Sequence, residues 1–278
     1  MSDTAGRRCE KYVLATRAPH ADRDFESHWT SVRGVRVHSR QSRAPVSPGA
    51  LPVVLVHGLA VSHRYLMPLA ARLSSSYPVS AVDLPGFGLS GEPGHVLDVA
   101  ELADWLADWL VTTGRASAAL IGNSFGCQVA VDLAVRHPEL VRCLVLVGPT
   151  MDPWARGAAR QALRWLRNLR HEDPVQLPII LRDLRDAGID RALGTLRIAL
   201  RDPIERKLPA VSAPTLVTRG AVEPVVPQRW AAQAADLLPR GELAVVPGSP
   251  HNANYSATHE LAVLVLPFLR RVSAVDSE

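Results

Sequence analysis

The chain alternates short apolar runs with longer amphipathic stretches. Residues 53–57 and 79–83 are continuous runs rich in Val, the pattern of strands buried on both faces. Residues 118–122, 141–147, 214–218 and 243–246 predict four more strands, and 35–39 a first, half-exposed one. Between them Val99, Leu102, Trp105, Leu106, Trp109 and Leu110 recur at helical spacing, with Asp98 placed to cap the helix start. An apolar helix is predicted over 125–137, closed by Pro138, with further helices over 228–238 and 260–271. Strand and helix in alternation predict an α/β fold: a mostly parallel, twisted sheet with helices on both faces.

The alternation breaks between Val147 and Pro214, where the pattern is helical throughout. Arg156, Arg160, Arg164, Arg167 and Arg170 recur there every three or four residues, which predicts one solvated helix face. At the other end, residues 1–28 mix both charge signs, lack the apolar stretch of an export signal and read as a poorly ordered leader.

Composition narrows the function classes. The net charge of +4 comes almost wholly from Arg interspersed with acids, so no nucleic-acid-binding tract stands out. No segment supplies the run of about 18 apolar residues that a membrane span needs. Cys9, Cys127 and Cys143 have no metal-ligand spacing, and Cys127 and Cys143 lie in apolar segments as free thiols would. A cytoplasmic protein is expected, with a small-molecule substrate and no metal or cofactor. The sequence says nothing of oligomeric state.

Candidate chemistry centres on Gly122-Asn123-Ser124-Phe125-Gly126, which matches G-x-S-x-G between a predicted strand and a predicted helix. A serine in so tight a turn needs small neighbours two residues either side, and the turn lifts its hydroxyl above the strand end beside a helix N-terminus. The strand 53–57 runs into Gly58-Leu59, so the backbone N–H groups of Leu59 and Phe125 are the candidate pair of oxyanion donors.

A base is expected beyond the strand ends, and His251 lies between the last strand and the final helix. The third partner is a carboxylate lying between Ser and His in chain order. Glu223 and Asp152 both satisfy this, each shortly past a strand.

From about Trp29 to Leu269 the chain resembles the α/β-hydrolase superfamily, especially its lid-bearing bacterial esterase-like members. The resemblance is carried by His57-Gly58, by the turn Asp83 to Ser90, by the elbow at Ser124 and by the segment around His251. It implies a core made of residues 29–150 and 214–278, and a helical lid over 151–213 inserted after strand 6. It also implies an acid in a Gly-x-x-Asp-Pro frame. Gly220 to Pro224 keeps that frame with Glu223 in place of Asp, which favours Glu223 over Asp152. In the implied lid, Trp154, Trp165, Leu166, Leu177, Ile179, Ile180 and Leu181 are candidate walls of an apolar site.

The expected activity is hydrolysis of an ester, thioester or lactone through an acyl-enzyme on Ser124. Carbon–carbon bond hydrolases of this fold share the elbow, but usually carry Trp after the catalytic His, where this chain has Asn252. A ligand-binding relative with little turnover is the other class of answer.

Overall fold

In the computed structural model, residues 24–43 and 49–274 are described. Residues 1–23, most of the expected leader and including Cys9, lie outside them. The chain runs β1 (Phe25–Val32), β2 (Val35–Ser42), β3 (Val53–Val56), α1 (Met67–Leu73), β4 (Val79–Val82), α2 (Val99–Thr112), β5 (Ala118–Asn123), α3 (Phe125–Arg136) and β6 (Val141–Val147). Four helices follow: α4 (Ala158–Leu169), α5 (Leu177–Ala187), α6 (Ile189–Arg201) and α7 (Ile204–Lys207). The chain closes with β7 (Thr215–Gly220), α8 (Gln228–Leu237), β8 (Gly241–Val246), α9 (Ala253–Ser256) and α10 (Thr258–Ala274).

The strands form one eight-stranded sheet in the order β1-β2-β4-β3-β5-β6-β7-β8. Pairs β1–β2 and β2–β4 are antiparallel and every other pair is parallel. Successive side chains of a strand leave on opposite faces, and the core divides accordingly. Val54, Val56, Leu120 and Leu144 pack with α2, α3 and α8. Val53, Leu55, Ile121 and Val145 pack with α1 and α10. Asp98 caps α2 as expected, its carboxylate accepting from the Glu101 N–H while Glu101 reaches back, a reciprocal capping box.

One expectation needs correction. The first strand is Phe25–Val32, so the leader cannot extend to residue 28. Phe25 and Val32 are buried at its ends while the residues between face solvent or sit half-covered, so no alternation marks it. Helix α1 was also unmarked; it is only seven residues long.

Candidate active site

The elbow at Ser124 is built by close approach. Ser124 has φ 54° and ψ −116°, a conformation that side chains rarely adopt. A Cβ on Gly122 would lie 2.6 Å from the Gly126 carbonyl oxygen, and one on Gly126 would lie 2.4 Å from that of Val56. Both glycines are therefore required for β5, α3 and β3 to meet there. The Ser124 N–H is held by the Val147 carbonyl at 2.9 Å. Cys127, one turn along α3, is no rival nucleophile: burial pushes its thiol well up, and it donates to the Gly122 carbonyl at 3.1 Å.

The loop after β3 is clamped to this elbow by a residue that sequence reasoning did not single out. The Gly58 N–H donates to the Tyr65 hydroxyl (2.7 Å), which donates to Asn123 Oδ1 (2.6 Å). Asn123 Nδ2 in turn donates to the Val147 carbonyl (3.2 Å). Burial pushes the Tyr65 hydroxyl above the usual phenol range, so it stays a donor. His57 Nε2 accepts from the Leu84 N–H at 3.0 Å, so its proton sits on Nδ1, facing the Gly58 carbonyl at 2.7 Å. Burial lowers its pKa and keeps it neutral. Leu59 and Phe125 both line the cavity that Ser124 enters.

His251 and Glu223 meet through Nδ1 and Oε1, both side chains fully buried. The second Glu223 oxygen accepts from the Gly220 N–H at 3.0 Å. Arg219 braces the same loop by donating to the Glu223 carbonyl at 2.8 Å and the Val226 carbonyl at 2.9 Å. Gly148, at φ 60°, leaves the space: a Cβ there would lie 2.9 Å from the imidazole and 3.3 Å from Glu223 Oε1. Burial alone would lower the His251 pKa, but the Glu223 charge and hydrogen bond, with a contribution from Glu172, raise it above 6.5. Nε2 of His251 is buried with no hydrogen-bond partner among the described residues. Such an atom on a neutral imidazole is a ready acceptor for a hydroxyl proton.

Asp152 belongs to a different network. It accepts from the Trp154 N–H (2.9 Å) and from Arg164 Nη2 (2.7 Å). The geometry thus brings together His251 and Glu223 and leaves Asp152 elsewhere. Position relative to a strand end could not separate the two acids, because both lie just past one.

The helical segment after β6 closes over the His251 loop through polar side chains. Asn168 Oδ1 accepts from the His251 N–H at 3.3 Å, Glu172 Oε1 from the Asn252 N–H at 3.0 Å, and Gln176 Oε1 from Asn252 Nδ2 at 2.8 Å. Trp165 meets the His251 ring edge-on at 4.9 Å. A cavity of about 230 Å³ results, with Ser124 at its wall and Trp165, Ile180, Leu196 and Met151 among its apolar lining.

Of the seven apolar residues expected to wall the site, Trp165 and Ile180 do so. Ile179 packs on the core, and Trp154, Leu166, Leu177 and Leu181 face outward. The arginines also part company. Arg164 turns in to Asp152, and Arg156 pairs with Glu205, while Arg167 stays exposed, so a single solvated face is not formed.

One cluster could in principle receive a metal: ligand atoms of His38, His63 and Asp83 converge within 4.8 Å. Its hydrogen bonding accounts for it without one. Asp83 accepts from His38 Nδ1 (2.8 Å), from His63 Nδ1 (2.8 Å) and from the backbone N–H of His63 (2.7 Å) and Leu89 (3.0 Å). Burial opposes the Asp83 charge, but the two histidines hold its pKa far below the usual carboxylate range.

Comparison with known proteins agrees with this architecture. The family model described as the alpha/beta hydrolase fold matches residues 52–177. The chain is 28% identical over 234 residues to the 2-(acetamidomethylene)succinate hydrolase of Mesorhizobium japonicum, covering 74% of this chain and 84% of that one. It is 29% identical over 256 residues to a pimeloyl-[acyl-carrier protein] methyl ester esterase of Neisseria meningitidis serogroup B, covering 83% and 97%. Among solved structures, a thermophilic esterase from Thermogutta terrifontis superposes with a TM-score of 0.73 at 20% identity, covering 89% of this chain and 99% of that one. With its sheet order, its elbow and these relatives, the chain belongs to the α/β-hydrolase superfamily.

Proposed function

We propose that the protein is a serine hydrolase that cleaves a carboxylic ester, thioester or lactone of a small, largely apolar substrate. The observation that carries this reading is the buried Glu223–His251 pair with its spare Nε2, beside a cavity whose wall holds Ser124 at a strained elbow. The esterase among the relatives supports the ester class.

Ser124 Oγ attacks the carbonyl carbon while its proton passes to His251 Nε2. Negative charge developing on the carbonyl oxygen is met by the N–H groups of Leu59 and Phe125, the latter at the start of α3. Glu223 holds the imidazole by Nδ1 and stabilises the imidazolium without taking its proton. Collapse expels the alcohol or thiol with the proton from His251, leaving an acyl-Ser124. Water, deprotonated by the same nitrogen, then releases the acid.

Residues 151–213 serve as the lid. Trp165, Ile180 and Leu196 from this segment give the acyl or alkyl group an apolar wall. Cys127 and Cys143 are free and buried, which suits a reducing, cytoplasmic setting.

Turnover of p-nitrophenyl esters of graded acyl length tests the reading. A stoichiometric burst of nitrophenol followed by steady turnover is expected, both absent in Ser124→Ala. Equal turnover by wild type and Ser124→Ala would overturn it.

A further inference from the structure

Helices α4 and α5 turn buried polar side chains inward and leave most of their leucines outside. On α4 the inward residues other than the cavity-lining Trp165 are polar and each is engaged: Gln161 donates to the Ala155 carbonyl (2.7 Å), Arg164 to Asp152 (2.7 Å) and the Val225 carbonyl (3.2 Å), and Asn168 to Glu172 (2.6 Å). On α5 the inward Asp183 accepts from Ser62 Oγ at 2.8 Å and pairs with Arg64, which also reaches Asp186 at 3.0 Å. These bonds fix the rotation of both helices, since rolling either would strand buried polar groups.

The leucines are therefore committed to the outside. Leu163, Leu166 and Leu169 are 47%, 65% and 58% exposed, and Leu177 and Leu181 are 51% and 57% exposed. Of sixteen large apolar side chains exposed among the described residues, nine lie between Trp154 and Leu193. Concentrated on two helices that both wall the same cavity, these exposed apolar side chains mark a surface that meets something apolar.

The polar residues among those leucines say what. Arg160 and Arg167 stand on the outer side of α4, exposed Arg170 caps its end, and Arg182 and Arg185 stand on the outer side of α5. Arg167 and Arg170 form no ion pair among the described residues. Arg182 and Arg185 share Asp186 with Arg64, at 3.8 Å and 3.3 Å. From 154 to 193 the chain has eight arginines against five carboxylates. A second copy docking by the same face would set arginines against arginines. An anionic lipid surface instead takes leucines into its acyl boundary and arginines at its phosphates.

We infer that the outer faces of α4 and α5, with Leu163, Leu166, Leu177 and Leu181 among Arg167, Arg170, Arg182 and Arg185, form a docking surface for an anionic lipid bilayer. The inner side of the same helices supplies Trp165 and Ile180 to the cavity, so docking would bring the membrane within about one helix diameter, roughly 10 Å, of it. This surface does not depend on what Ser124 does.

Cosedimentation of the full chain with vesicles tests it. Phosphatidylcholine doped with phosphatidylglycerol should pull the protein down, and phosphatidylcholine alone should not. Raising salt to about 0.5 M should release it, because screening shortens the reach of the arginines. Each of Arg167→Gln and Arg170→Gln should weaken partitioning about fivefold, and Leu166→Ser about tenfold. All three variants should melt as wild type does, since none of these side chains is buried. Absence of binding to the anionic vesicles would overturn the proposal, as would equal, salt-insensitive binding to both kinds. So would a dimer in vesicle-free solution that Leu166→Ser dissociates, which would give the face to a second copy.

Discussion

Two buried histidine–carboxylate centres sit in this molecule and behave differently. At Asp83, the carboxylate takes side-chain bonds from His38 and His63 and two backbone N–H groups, and the far nitrogen of His38 meets Ser27 Oγ at 3.0 Å. At Glu223, one oxygen takes His251 and the other a single backbone N–H, while Nε2 of His251 is left without a partner. Burial and pairing are common to both. An unspent nitrogen beside a cavity that holds a serine distinguishes the second. A carboxylate spent on two histidines and two backbone N–H groups ties strands and loops together; a pair with a buried imidazole nitrogen to spare can move a proton.

The contrast can be broken most sharply at the nucleophile, where Ser124→Ala should lower ester turnover about a millionfold. Glu223→Gln should cost about ten-thousandfold in kcat, since the imidazole loses both its tautomer and its charge partner. Asp83→Asn should change kcat by less than about threefold yet destabilise the fold by about 3–5 kcal/mol, because it breaks a buried charge network. Stopped-flow kinetics and denaturant melts on the same samples separate the two responses. Asp152→Asn should follow the Asp83 pattern, in rate if not in size, given its bonds to Arg164 and the Trp154 N–H.

A smaller effect is expected at the oxyanion loop. Tyr65→Phe leaves the Gly58 N–H and Asn123 Oδ1 without their shared hydroxyl and should cost about tenfold in kcat. The smallest is a displacement in pH. His251 acts as base only when unprotonated, and its pKa is raised, so the acid limb of kcat/KM should fall above pH 6.5. Glu172 supplies only the smaller part of that elevation, so Glu172→Gln should move the limb slightly to lower pH with little loss of plateau rate. The stability that the His251–Glu223 pair adds is full below pH 6.5 and is lost as pH rises through the folded pKa.

What could be read without the structure follows from the range of each constraint. The elbow is local: Gly122, Ser124 and Gly126 announce it because their spacing is dictated by backbones that pass within a side chain's width. Strands β3 to β7 were legible because each is buried on both faces and so written as an apolar run. Strand β1 was not, since only its ends are covered. The pairing of His251 with Glu223 rather than Asp152 depends on where two distant loops converge. The orientation of α4 was hidden for another reason. Periodicity reveals that a helix has two faces, and here the polar one is turned inward by Asn168, Arg164 and Gln161. The Tyr65 clamp carried no motif at all.

The central claim is that Ser124 is activated by the His251–Glu223 pair, and fluorophosphonate labelling followed by intact mass tests it most directly. Wild type should gain a single adduct, Ser124→Ala none, Glu223→Gln one only after far longer exposure, and Asp83→Asn one at the wild-type rate below its melting temperature. A folded wild type that stays unlabelled, or a Glu223→Gln variant that labels as fast as wild type, would contradict the account.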